Sequence, residues 1–165
     1  MTDGRRLLIV GGIALALWGM GYGLCYAVFA EHQALDSIGA SLATGFSAAA
    51  ERNNTAADAA LLQYRAAKYN YDRQVDVHGH WIGLAMLLIV VGIAYDRVAF
   101  SSNLKFAAAL GLLLGAFLFP LGVLLETASQ GPIPKAIAVV GSALVIASLA
   151  GITYGFARQA SVARD

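Results

Sequence analysis

The residues of this chain best suited to chemistry are its three histidines. His78 and His80 stand two apart in Asp76-Val77-His78-Gly79-His80-Trp81, where an apolar run begins, and His32 follows the end of an earlier apolar run. A neutral imidazole offers a nitrogen lone pair and is the commonest protein metal ligand. Carboxylates accompany the rings: Glu31 and Asp36 flank His32, and Asp76 precedes His80 by four residues. Residues four apart share a helix face, so such a pair can supply two ligands to one divalent ion, or the carboxylate can orient the imidazole. If the segments leaving the first apolar run and entering the second are antiparallel helices, a register that sets His32 beside His80 also sets Asp36 beside Asp76, with Glu31 nearby. The spacing therefore predicts an outward-facing site of His32, His80, Asp76, Glu31 and Asp36 for a divalent metal such as copper or zinc. The plainer reading makes these residues solvent-facing, with local ion pairs to Arg65, Lys68 and Arg73.

His78 and His80 cannot both face one site on a regular helix, because two residues subtend about 200°. A break at Gly79 would free both rings as a loop at the membrane surface. Tyr69, Tyr71 and Trp81 nearby read as an interfacial aromatic belt.

Membrane helices must position these groups. The 165 residues are 59% hydrophobic and 13% charged, with a mean hydropathy of +0.67. That is too apolar for a soluble domain of this size and fits a single membrane bundle. The net charge of +1, with no block of like charges, excludes the basic field that nucleic-acid binding requires. Cys25, the one cysteine, lies inside the first apolar run and reads as a small core residue.

Four spans are expected, at about residues 7–30, 79–97, 104–125 and 135–157, because helices of that length rise about 30 Å, the depth of the hydrocarbon core. Val28-Phe29-Ala30 before Glu31 resembles a cleavage point, yet the apolar stretch exceeds the roughly 7 to 15 residues of a signal peptide, so the helix is expected to be retained. Residues 31–77 differ: they hold most of the acids, many alanines and no proline. Leu35, Ile38, Leu42, Phe46 and Ala49 recur at helical spacing, Glu51-Arg52-Asn53-Asn54 interrupts the pattern, and Thr55 with Asp58 reads as the cap of a second helix. The fold class predicted is an all-α integral membrane protein, a four-transmembrane-helix bundle whose first two helices extend into an extracytoplasmic helical hairpin. Gly111 with Gly115, and Gly151 with Gly155, have the spacing of close helix contacts, including contacts between protomers.

Arg5, Arg6, Arg97, Lys105, Arg158 and Arg164 would share one side of the membrane, and among the short segments only Lys135 lies on the other. The positive-inside rule then places both termini in the cytoplasm and all three histidines outside, and the style of the chain makes a bacterial inner membrane the expected location.

His78-Gly79, opening an apolar helix after a polar segment, resembles the small, few-helix relatives of the haem-copper oxidase catalytic subunit, in which a His-Gly pair near the start of a transmembrane helix carries an axial haem ligand. The resemblance covers roughly residues 78–156, and its specific part is the dipeptide. It implies haem b with His78 as an axial ligand and His80 or His32 as a second. The third and fourth spans hold no histidine, so one chain builds no copper site and no second haem. What the resemblance implies is cofactor binding or descent, not oxygen reduction.

Nucleophile elbows, phosphate loops, C-x-x-C and H-E-x-x-H are absent, and no charge lies mid-span, against a proton or ion pathway. Two functions remain: a membrane protein binding a metal or haem at its outer face, with a redox link and enzyme activity left open, or a structural or accessory subunit, self-assembling or docked in a membrane complex, with no cofactor.

Overall fold

The structure, a computed structural model, describes residues 2–129 and 131–162. Among them are five α-helices: α1 (Asp3–Phe29), α2 (Glu31–Ala50), α3 (Asn54–Ala94), α4 (Ser102–Ala128) and α5 (Pro132–Val162), with a short 3₁₀ turn at Tyr95–Arg97 after α3. No strand occurs among the described residues. Four helical stretches are long and apolar enough to cross a membrane: Asp3–Phe29, Asn54–Arg97, Ser102–Ala128 and Pro132–Gln159. Three of them contain an expected span, and Asp3–Phe29 ends one residue short of the expected 7–30. Helices suit such segments because in lipid every backbone N–H and C=O must be satisfied within the segment. Arg164, used above for orientation, lies outside the described residues.

The chain divides into two compact units, Met1–Met20 with Val77–Asp165, and Gly21–Asp76. In the first, small residues set the helix spacing. Gly12 of α1 lies against Ala85, Leu88 and Ile89 of α3, and Gly19 against Trp81 and Ile82; in return Gly92 of α3 receives Leu8 and Ile9. Leu8, Trp81, Ala85 and Leu88 are fully buried along this antiparallel seam. The α4–α5 contact is closer still. A Cβ added at Gly115 would lie 2.7 Å from the Gly141 carbonyl oxygen, and one at Gly122 or Gly141 would collide with the backbone of Ala138 or Phe119. Gly111 and Gly115 therefore serve contact inside the protomer, Gly111 facing Ser148. Around Gly151 there is open space, while Gly155 meets Val98 and Phe100. Pro120 is buried within an uninterrupted α4.

The end of this unit remote from His78 and His80 is closed by polar contacts. Thr2 Oγ1 and Arg5 donate to the Asp96 carboxylate at 2.6 and 2.8 Å, Lys105 Nζ donates to the Asp96 carbonyl at 3.0 Å, and Tyr95 Oη donates to the Lys105 carbonyl at 2.6 Å. Ala99 N–H donates to Gly155 O at 3.1 Å, so the turn between α3 and α4 is tied to both α1 and α5.

In the second unit, the last part of α1, all of α2 and the first part of α3 pack through small residues. Ser41, Ala48 and Ala60 are its buried side chains, and the Ser41 hydroxyl is satisfied by the Ser37 carbonyl at 2.8 Å. The α2–α3 turn is shorter than expected. Arg52 adopts φ 56°, and Asn53 N–H donates to Ala48 O at 2.8 Å, the six-to-one bond that ends a helix in a left-handed residue. Asn53, not Thr55, caps α3: its Oδ1 accepts from Ala56 N–H at 3.1 Å.

Candidate cofactor site at His78

An earlier turn shifts the whole register of the hairpin. Within Gly21–Asp76, Tyr71 Oη donates to Glu31 Oε1 at 3.4 Å, Tyr22 Oη donates to Gln74 Oε1, and Gly45 faces Ala60. Glu31 thus meets α3 five residues before Asp76. Asp36, more than a turn further along α2 toward the hairpin tip, is not beside Asp76, contrary to the expected register. The physical reason is the cap: with Arg52 left-handed and Asn53 rather than Thr55 capping α3, the turn closes two residues earlier than expected.

His32 and Asp36 are exposed on α2, Asp76 is exposed on α3, and Glu31 is half-buried. Among the described residues no group of three or more His, Cys, Asp or Glu side chains is placed to hold a metal ion. The ion pairs of the plainer reading are present in part. Lys68 Nζ donates to both Asp72 oxygens at 2.8 Å, which raises the Lys68 pKa above the ordinary lysine value, and the Arg73 guanidinium lies 5.0 Å from the centre of the Tyr69 ring.

His78 and His80 belong to the other unit. Gly79 does not break α3, which runs unbroken from Asn54 to Ala94, so the two imidazoles point to different sides. His80 is exposed, its ring edge-on to Phe119 with centroids 4.9 Å apart. His78 is half-buried, and its Nδ1 lies 2.9 Å from the Gly19 carbonyl oxygen. A carbonyl can only accept, so Nδ1 carries the hydrogen. The neutral ring then presents Nε2 as its lone-pair atom. This arrangement, Nδ1–H fixed by a backbone carbonyl with Nε2 as donor atom, is how a protein holds a ligating histidine.

Sequence reasoning missed what supports the ring. Trp81, expected as an interfacial anchor, is 0% exposed. It packs edge-on to Trp18 with centroids 6.0 Å apart, stacks with Phe117 at 6.4 Å, and its indole N–H points at the Phe117 carbonyl oxygen 3.4 Å away. One helical turn from His78, this cluster fixes the approach of α1 to α3 at Gly19. Gly19, about three turns before the end of α1 at Phe29, is one of several glycines in that span. No family model, curated protein or solved structure matches this chain.

Proposed function

We propose that this is a small multi-pass protein of a bacterial inner membrane, with both termini cytoplasmic and the helical hairpin outside, that holds haem b through His78 at its extracytoplasmic face. The observation that carries this reading is the 2.9 Å hydrogen bond from His78 Nδ1–H to Gly19 O, which fixes the tautomer and leaves Nε2 to ligate. The likeness of His78-Gly79 to the His-Gly of small haem-copper oxidase relatives accords with it. A haem needs one such nitrogen from a chain, whereas copper or zinc needs three or four ligands, and no such group forms among the described residues. Bound there, haem would supply one-electron redox chemistry. The chain would supply an oriented ligating nitrogen, His78 Nε2, held by the Gly19 carbonyl.

The test is the absorption spectrum of protein purified without chelators, with haem counted per chain. A Soret band at one haem per chain or per dimer, lost in His78→Ala with helical content retained, is expected. Protein that is colourless and takes up no added haemin would leave the second reading, a structural or accessory subunit without cofactor, which the exposed apolar side chains of the hairpin favour.

A further inference from the structure

A furrow runs along the first unit between α1 and α4. Gly11, Ala14 and Trp18 line it on one side and Leu113, Leu114 and Phe117 on the other, around about 380 Å³ of open volume. No charged residue lines it. Its floor is closed where α1 meets α4, because a Cβ added at Gly11 would lie 2.8 Å from the Leu113 side chain. Its rim stands clear, with Trp18 54%, Leu114 46% and Phe117 37% exposed.

Both walls belong to helices long and apolar enough to cross a membrane, so the depth of the furrow decides what can fill it. Water is a poor occupant, because an apolar cavity offers it no polar partners. We propose that the furrow holds one acyl chain of a phospholipid from the leaflet at the N-terminal end of α1, as a bound lipid that does not exchange freely with the bilayer. Length fits first. From Leu7, where the apolar run begins, to Trp18 the helix rises about 17 Å, close to half of a hydrocarbon core of about 30 Å. Trp18 therefore marks the depth at which a chain from that leaflet ends. Volume fits next: at about 30 Å³ for a group the size of a water molecule, the furrow takes about a dozen methylene-sized groups, most of one chain. Width separates this occupant from a second protein. A helix is about 10 Å across with its side chains and would ride on Trp18, Leu114 and Phe117 without reaching Gly11, whereas an acyl chain is no wider than one side chain. The far wall is also preformed. Trp18 meets Phe117 with ring centroids 6.3 Å apart and stands edge-on to the fully buried Trp81, which holds its ring in place.

The test uses the full chain, reconstituted in phosphatidylcholine with brominated acyl chains and then taken into a mild detergent. Bulk lipid is diluted away, while a chain seated in the furrow stays. Native mass spectrometry should find one phospholipid per chain, and the emission of the exposed Trp18 should remain quenched by bromine. Ala14→Leu adds bulk to the furrow wall at an exposed position; it should keep its helical content while retained lipid falls about tenfold. Ala147→Leu, exposed on α5 and outside the furrow, should retain lipid as wild type does. Wild type that keeps no phospholipid and recovers its Trp18 emission overturns the proposal without reference to any variant. Retention undiminished in Ala14→Leu overturns it as well. So does a disulfide-linked dimer formed by Ala14→Cys in a Cys25→Ser background, which would put a second copy in the furrow.

Discussion

The Nδ1 of His78 lies 2.9 Å from the carbonyl oxygen of Gly19, joining α3 to α1 at the point where Trp81 packs on the same glycine. The bond depends on close approach: a Cβ at Gly19 would lie 3.0 Å from Trp81 Cβ. Gly19→Ala should move α1 by a few tenths of an ångström, loosen the imidazole and weaken haem binding by about tenfold, the usual effect of losing a ligand's hydrogen-bond partner. Haemin titration followed at the Soret band measures this. Gly83→Ala, with open space around its added Cβ, should titrate as wild type.

The α4–α5 seam predicts where a methyl group is not tolerated. Gly122→Ala and Gly141→Ala place Cβ against opposing backbone, which cannot rotate away as a side chain does. Each should cost about 1–3 kcal/mol, the range for overpacking. Gly151→Ala meets open space and should be neutral or slightly stabilising. Thermal unfolding in detergent distinguishes the three.

At the hairpin tip, Arg52 holds φ 56°, a conformation that glycine adopts without a Cβ clash. Arg52→Gly should stabilise the hairpin by about 1 kcal/mol, and Asn53→Ala should destabilise it by about 1 kcal/mol through loss of the α3 cap. Amide exchange of residues 48–60 reads both effects locally, and opposite signs for the two variants are expected.

Much of the fold was legible because lipid imposes a simple rule. Long uncharged runs become helices, and the four spans and the alanine-rich hairpin followed from length and periodicity. The position of the turn was not legible. Thr55-x-x-Asp58 and Asn53 both offer a side-chain oxygen to a free N–H, and the competition was decided by Arg52 accepting a left-handed conformation that sequence assigns to glycine or asparagine. That displacement of a few residues removed the expected pairing of Asp36 with Asp76. The His78-Gly79 dipeptide singled out His78, but the Gly19 carbonyl that meets its Nδ1 is backbone and leaves no trace in residue type. Trp81 was misplaced for a related reason: an indole at a span end is ordinarily interfacial, and only the thin face of α1 at Gly19 allows it to be buried.

Arg5, Lys105 and Asp96 meet at one end of the first unit and His78 lies at the other; the proposed orientation puts the first of these ends in the cytoplasm. In a Cys25→Ser background, a cysteine at Ser102 should be shielded from an impermeant thiol reagent in intact cells, and one at Asn54 should react. The reverse pattern would invert the topology and move His78 to the cytoplasmic face.

The most direct measurement is a haemin titration of four proteins side by side: wild type, His78→Ala, His80→Ala and His32→Ala. Because the tautomer of His78 is fixed by a backbone carbonyl, His78→Ala should lose the Soret shift and stoichiometric uptake, while His80→Ala and His32→Ala keep the His78 nitrogen and still bind. Stoichiometric binding that survives His78→Ala, or no binding by wild type, would contradict the account.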